Sequence, residues 1–251
     1  MIKNTLKFVV RKLGYDIVRY TSKKNSTPDD FENHHNTIIG IVRPYTVTSY
    51  ERIHALIESV HYILRNNIKG DFIECGVCKG GSMMTIALTL LSMKVKNRDL
   101  YLFDTFEGMP PPGERDIDLW GNPAKECSDE NGYSKNNSSN ETSLVNVKRA
   151  MSLTGYPMER IHFVKGLVEN TLPEKAPKKI ALLRLDTDWY SSTNHEMVHL
   201  FPHLSSKGIL IVDDYGHFKG AKQAVDEYFQ YNKLKPFLHR IDYTGRLIIK
   251  D

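Results

Sequence analysis

Leu183-Arg184-Leu185-Asp186-Thr187-Asp188-Trp189-Tyr190-Ser191-Ser192 reads as a buried apolar strand that ends in two acids and runs into a helix start. Gly208-Ile209-Leu210-Ile211-Val212-Asp213-Asp214-Tyr215 has the same habit. Two neighbouring strands of this kind deliver Asp186, Asp188, Asp213 and Asp214 to one crevice. Four carboxylates at close range repel one another, and an unpaired buried charge is expensive. A bound divalent cation is the simplest remedy, and oxygen-only ligands point to a hard ion, Mg²⁺ first.

Working outward, Asp71 to Val77 is a further apolar strand, followed by the glycine turn Cys78-Lys79-Gly80-Gly81-Ser82 and a helix from Met83. Strand, glycine loop and helix bring backbone close to a nucleotide-like ligand. The spacing is G-x-x-x-G-G, which differs from the dinucleotide fingerprint G-x-G-x-x-G. Leu100 to Gly108 is a second strand that carries Asp104 near its tip, where this kind of fold holds a ribose diol. Arg160 to Gly166 is a third. Strands alternating with helices predict an α/β domain with a parallel sheet and right-handed crossovers. Phe237 to Ile241 and Arg246 to Ile249 predict a closing hairpin around Tyr243-Thr244-Gly245. Thr48-Ser49-Tyr50-Glu51 reads as a capping box before a helix whose apolar face is Ile53, Leu56, Ile57, Val60 and Leu64.

At 251 residues the chain is long enough for one large domain, and a net charge of +4 without Lys/Arg blocks gives no sign of nucleic-acid binding. No apolar run is long enough to span a bilayer. Ile2, Leu6, Val9 and Leu13 recur at helical spacing among Lys3, Lys7, Arg11 and Lys12. They predict a basic amphipathic helix that packs on its own domain, on a membrane surface or on a second subunit, and so admit a homodimer. Thr21 to Thr37 reads as a linker or ordered surface loop in which His34-His35 is solvated. The expected division is therefore residues 1–40, helix and linker, and residues 41–251, the domain. Met109 to Asn140, rich in Pro, Gly, Asn and Ser, reads as a lid-like loop. Three cysteines, two of them in the first strand and its turn and read as buried structural thiols, fit a reducing cytosol, and hence a cytoplasmic protein.

His195-Glu196-Met197-Val198-His199 matches H-E-x-x-H, the signature of a zinc peptidase. The core face of that helix is Met197, Leu200, Phe201 and Leu204. At about 100° per residue His195, His199 and His203 fall opposite it, so they are expected to face solvent.

With these pieces in place the chain resembles the macrocin O-methyltransferase family, the metal- and S-adenosylmethionine-dependent sugar O-methyltransferases. The resemblance runs from about Arg43 onward. It rests on Glu74-Cys75-Gly76-Val77-Cys78-Lys79-Gly80-Gly81, on Phe103-Asp104-Thr105-Phe106-Glu107-Gly108-Met109-Pro110, on Arg184 to Thr193, and on Val212-Asp213-Asp214-Tyr215-Gly216 with Gly220 and Ala224-Val225-Asp226-Glu227. It implies a Rossmann-like class I methyltransferase sheet, mostly parallel with an antiparallel C-terminal strand and helices on both faces. It also implies that Asp186, Asp213 and Asp214 bind Mg²⁺ and that Asp188 is the general base. Glu74, Gly76, Val77, Gly80 and Ser82 would face the methionine end of S-adenosylmethionine, with Asp186 close by. Asp104 and Thr105 would lie at the ribose, and Lys165-Gly166 by the adenine. The implied acceptor is a sugar or glycoside small molecule in natural-product or polysaccharide biosynthesis, with Tyr190, Tyr215 and His217 placed to touch it.

A sugar hydroxyl is a weak acid, so the reaction needs a Lewis acid, a base and alignment. A lid that excludes water helps both. The other readings are the zinc peptidase and a non-catalytic nucleotide-binding scaffold; retention of all four acids speaks against the scaffold.

Overall fold

The computed structural model describes Val10, Lys12 and residues 27–124 and 140–251. The chain divides into two compact units, Met1–Asp30 and Phe31–Asp251. In the first, Val10 and Lys12 are helical; the rest of the expected basic helix lies outside the described residues, as do residues 125–139 of the expected lid.

The second unit is built on seven strands: β1 (Asp71–Cys75), β2 (Leu100–Asp104), β3 (Ile161–Lys165), β4 (Ile180–Leu185), β5 (Leu204–Val212), β6 (His239–Arg240) and β7 (Arg246–Ile249). Their order is β3-β2-β1-β4-β5-β7-β6. The first five are parallel, and β7 runs antiparallel to both β5 and β6. This is the mostly parallel α/β sheet with antiparallel closing strands that the sequence predicts.

Side chains on a strand alternate between faces. Phe72, Leu100, Leu102, Leu182, Ile209 and Ile211 meet one core with α1 (Asn33–Val42), α2 (Tyr50–Arg65), α3 (Gly81–Ser92) and α4 (Leu144–Ser152). Ile73, Phe103, Leu183, Leu185, Leu210 and Val212 meet the other with α5 (Val168–Thr171), α6 (Tyr190–Leu200) and α7 (Lys219–Tyr231). Each fully buried aliphatic side chain contributes about 1.5–3 kcal/mol. The same alternation turns Glu74 and Arg184 to the α2 side of the two central strands, where an apolar residue would otherwise sit.

Three local expectations are corrected. Asn33–Val42 is a helix, so the stretch read as a linker ends inside the folded unit, and that unit starts ahead of residue 41. Its buried positions are His35, Ile38, Ile39 and Val42, an i, i+3, i+4, i+7 stripe in which a histidine fills the first place. His35 is thus buried: Nδ1 accepts from the Glu32 amide, and Nε2 lies 3.0 Å from Glu58 Oε1. The cap of α2 is Ser49, one residue later than expected, and its hydroxyl accepts from the Arg52 amide. Among the described residues no helix is long and apolar enough to cross a membrane.

Gly76 follows β1 with φ +81°, and a Cβ built on it would lie 2.6 Å from the Asp186 carbonyl carbon. Both the left-handed backbone and the abutting β4 tip require glycine there. Gly76→Ala is expected to cost at least about 2 kcal/mol in urea unfolding; a neutral result would show that the tips of β1 and β4 are not held this close.

Candidate active site

The acids reach one crevice because β4 and β5 are in register. Leu185 pairs with Val212, so Asp186 and Asp213 are the next residues along adjacent strands. Hydrogen bonds carry the ladder onto the tips: the Asp186 amide donates to Cys75 O at 2.8 Å and the Asp213 amide to Leu185 O at 2.9 Å. Asp188 adopts φ +67°, a left-handed turn that aspartate tolerates better than most side chains. Oxygens of Asp186, Asp188 and Asp214 lie within 4.8 Å of one another.

Asp213 is placed differently. It is 3 % exposed, and both of its oxygens face arginines. Oδ1 accepts from Arg184 Nη2 at 2.5 Å, and Oδ2 accepts from Arg52 Nη1. The resemblance implied Asp186, Asp213 and Asp214 as the metal set, with Asp188 apart. In this structure Asp188 completes the convergent trio, and Asp213 is the anchor of two guanidiniums.

Arg184, 2 % exposed and next to the last residue of β4, is the hub. Its Nη1 donates to Glu74 Oε1 at 2.5 Å and to Asp186 Oδ2 at 2.6 Å. Burial alone would lower its pKa, but Asp186, Asp213 and Glu74 outweigh that and hold it charged. Arg52 adds a second cation, bonded through Nε to Asp242 Oδ2 at 3.0 Å. Asp242 also accepts from Ser49 Oγ and from the Thr244 and Gly245 amides, and Thr244 Oγ1 donates to Asp213 O. The hairpin turn between β6 and β7 is therefore part of the site wall. A charged residue inside Ala181-Leu182-Leu183-Arg184-Leu185 was the available signal, since a central strand buries a cation only beside carboxylates. Nothing local marks Arg52 or Asp242.

The remaining acids are short of positive charge. Burial, then the other acids, raises the pKa of Asp186 well above the carboxylate range, and burial with Asp188 does the same for Asp214. Asp188 is pushed up to about 7 by burial. Three converging carboxyls that meet a single guanidinium, Arg184 on Asp186, fit a divalent, oxygen-seeking ion such as Mg²⁺.

The cofactor side is assembled from β1 and β2. Glu74 is 1 % exposed; its Oε2 has no hydrogen-bond partner, and burial pushes the carboxyl up to about 7. An orphaned acceptor of this kind suits an ammonium donor. Gly80 caps α3 in left-handed conformation, and Ser82 is buried in the first turn of α3. Asp104 is occupied by backbone: Oδ2 accepts from Val77 N at 2.6 Å and Cys78 N at 3.2 Å, and Oδ1 accepts from Phe106 N at 2.6 Å. Asp104 thus ties the glycine turn to β2. Thr105 Oγ1 donates to Gly108 O, Lys165 pairs with Glu107, and the Gly166 amide donates to Asp104 O. Cys75 is buried, whereas Cys78, expected to be buried, is exposed.

On the acceptor side, Tyr215 Oη donates to Asp226 Oδ1 at 2.6 Å and Tyr190 Oη to Glu227 Oε2 at 2.7 Å, with Arg115 over the Tyr190 ring. Both hydroxyls are thus engaged on α7. His217 packs against Trp120, Phe218 and Tyr243, and its Nδ1 is buried without a partner. Residues 109–124 are fastened to the starts of α6 and α7. Asp116 accepts from the Tyr190 amide at the start of α6 and from the Gly113 amide, both at 2.7 Å. Trp189 Nε1 donates to Pro110 O, and Lys219 N donates to Ile117 O.

The H-E-x-x-H match does not form a metal centre. Glu196 is fully buried and accepts from Thr187 Oγ1. His195 and His203, expected in solvent, are half-buried on the carbonyls of Leu172 and Pro177. The apolar face of Met197, Leu200, Phe201 and Leu204 is buried as expected.

The sequence matches known proteins along most of its length. The profile of the macrocin-O-methyltransferase (TylF) family matches residues 7–250. The chain is 31% identical over 201 residues to demethyldecarbamoylnovobiocin O-methyltransferase of Streptomyces niveus, covering 80% of this chain and 74% of that one. It is 29% identical over 202 residues to mycinamicin III 3''-O-methyltransferase of Micromonospora griseorubida, covering 80% and 76%. The structure of the O-methyltransferase NovP superposes with a TM-score of 0.70 at 28% identity, over 82% of each chain. The calicheamicin methyltransferase CalS11 shares the fold, with a TM-score of 0.63 at 16% identity over 94% and 99%.

The crowded acids have a measurable consequence. With Asp188 and Glu74 titrating near 7 in the fold and near 4 unfolded, the metal-free folded state binds more protons across that window, so its stability falls as pH rises through it. Scanning fluorimetry is expected to show a lower Tm at about pH 8 than at about pH 5, and millimolar Mg²⁺ should raise Tm mainly at the higher pH. A Tm indifferent to both would remove the charge crowding.

Proposed function

The chain belongs to the macrocin-O-methyltransferase family and is an O-methyltransferase, and from that premise we propose that it transfers the methyl group of S-adenosylmethionine to a hydroxyl of a sugar or glycoside, aided by Mg²⁺. The observation that carries this reading is the convergence of Asp186, Asp188 and Asp214 at the tips of β4 and β5, across from the glycine turn after β1.

The residues divide the work. Glu74 Oε2 accepts from the ammonium of the donor's methionine end, while Gly76, Val77, Gly80 and Ser82 shape the turn beside it. Asp104 holds that turn in place through the Val77 and Cys78 amides, with Thr105 beside it, and Lys165-Gly166 flanks the adenine. Asp186 and Asp214 would hold the divalent cation, which would supply positive charge that lowers the cost of ionising the acceptor hydroxyl. Asp188, the one carboxyl of the trio with neither an arginine nor a metal role, takes the hydroxyl proton. The acceptor oxygen then forms its bond to the methyl carbon as the carbon–sulfur bond breaks, and S-adenosylhomocysteine leaves. Arg184 and Arg52 keep Asp213 and Asp186 fixed while this happens, which is alignment rather than chemistry. The 109–124 segment, fastened to α6 and α7, keeps water from the crevice. Tyr190, whose hydroxyl is held by Glu227, supports that wall.

Asp188→Asn is expected to lower kcat by roughly 10²–10⁴-fold while donor affinity stays within a few-fold. Undiminished turnover would assign the base elsewhere. Metal-stripped protein assayed in EDTA should be inactive and recover with Mg²⁺; full activity in EDTA would eliminate the cation. Asp104→Ala should raise the donor Kd by about tenfold, read by calorimetry, since two amide ties of the glycine turn are lost. An unchanged Kd would separate that turn from the donor.

A further inference from the structure

Beside the acids lies a cavity of about 320 Å³ with the opposite charge. Lys219, Lys222, Arg240 and Arg246 line it, together with Tyr215, His217 and Tyr243, and its lining includes no carboxylate residue. Arg240 and Arg246 are directly opposed in the antiparallel β6–β7 pair, a placement of like charges that destabilises a sheet. Neither has a carboxylate within 4.0 Å among the described residues. Arg240 Nε donates to Asp242 O, and Arg246 Nη1 donates to carbonyls, the nearest Gly245 O at 2.9 Å. Burial and then the Arg240 charge lower the Arg246 pKa. Lys222 is paired with Asp226, but Lys219 on α7 likewise has no carboxylate within that distance among the described residues. A charge on an edge strand commonly blocks unwanted pairing. That accounts for Arg240 on β6, but not for Arg246 on the inner strand or Lys219 on a helix.

The cavity adjoins the chemistry. Tyr215 and His217 follow Asp213-Asp214 directly in the chain, and Gly216 N donates to Thr244 O in the turn that holds Arg52. Asp213 and Asp214 are near enough to act on the Tyr243 hydroxyl. A ligand spanning both places would put neutral hydroxyls at the carboxylates and an anionic group at the arginines. The volume is at the small end for ligand sites, enough for a sugar and a phosphate. His217 Nδ1 is a buried polar atom still without a partner. Trp120, 69% exposed and edge-on to His217, offers a flat apolar face at the rim.

We propose that this cavity binds the phosphate of the acceptor, so that the enzyme methylates a phosphate-bearing sugar in preference to a neutral glycoside. The inference rests on the sugar O-methyltransferase reading and narrows it. Opposed guanidiniums suit a phosphate because each presents paired N–H donors to its oxygens, and a bound dianion turns their repulsion into joint attraction. A nucleoside diphosphate sugar and a sugar 1-phosphate share this chemistry.

Two measurements test it. First, calorimetry with inorganic pyrophosphate and with UDP should show binding that weakens with salt. The Arg240→Gln/Arg246→Gln variant should bind both at least about tenfold more weakly, with donor affinity serving as the check on its folding. No binding of either probe at millimolar concentration overturns the proposal, as does equal binding by the variant. Second, transfer to three acceptors bearing one and the same sugar, as nucleoside diphosphate, 1-phosphate and methyl glycoside, is read by mass spectrometry. Both phosphorylated forms should exceed the glycoside by at least about tenfold in kcat/KM, and the ratio between them identifies the source of the phosphate. Arg246→Gln should raise KM for them with little change in kcat. A glycoside that performs as well as the phosphorylated forms overturns this inference and leaves sugar methylation intact. Absence of transfer to all three, with pyrophosphate still bound at the arginines, refutes the sugar reading instead.

Discussion

A guanidinium buried in the middle of a parallel sheet has to be surrounded by carboxylates, and in this protein that requirement organises the site. Arg184 draws Glu74 from β1, Asp186 from its own strand and Asp213 from β5 into one ionic cluster. Removing one partner of such a cluster typically costs about 3–5 kcal/mol, because the others stay buried without compensation. Three strand tips are thereby locked against each other where they would otherwise splay, and Arg52 extends the lock to α2 and the β6–β7 turn. What remains is an excess of acid. Asp186, Asp188 and Asp214 converge without enough positive charge between them, and that shortage is the binding energy available to a cation.

Much of this is written in local sequence, and the unwritten part follows a pattern. The sheet was legible because Ile180 to Leu185, Gly208 to Val212 and their counterparts are apolar runs of strand length bounded by glycine, acid or proline. The position of the acids followed from the rule that parallel strands present ligands at their carboxyl ends. The helix at Asn33–Val42 was hidden because its polar first half includes a histidine that does the work of an aliphatic residue. Asp213 was expected to be a metal ligand beside Asp186 and Asp214. Its commitment to Arg184 and Arg52 depends on residues 29 and 161 positions away, a separation that no local pattern spans. The solvent-facing histidine row failed for the same reason. His195 on α6 and His203 just beyond it meet the carbonyls of Leu172 and Pro177, and a helical wheel does not show neighbouring chain.

One device recurs at the rim. Asp104 and Asp116 each use a single carboxylate to gather backbone amides from a loop and from the element beside it. Asp104 joins the glycine turn to β2, and Asp116 joins the 109–124 segment to α6. Ionised carboxylates are strong acceptors for amides, so each loop is fixed at one point while its neighbours can still adjust. The resemblance puts Asp104 at a ribose, but its oxygens are occupied by main chain, which separates holding a loop from touching a ligand.

The interlock between the Asp213–Gly216 segment and the Asp242–Gly245 turn bears on how the molecule comes into being. A polypeptide is made from its amino end, and its parts begin to fold in that order. A nascent chain that has emerged as far as Asp214, just past β5, already has Arg184, Arg52 and every acid of the crevice. It lacks Asp242 to hold Arg52, Thr244 to bind the Asp213 carbonyl, and β7 to cover the edge of β5. Competence is accordingly acquired late: the unfinished protein exposes a bare strand and a loose arginine, and the arrival of a four-residue turn converts a collection of charges into a working cleft.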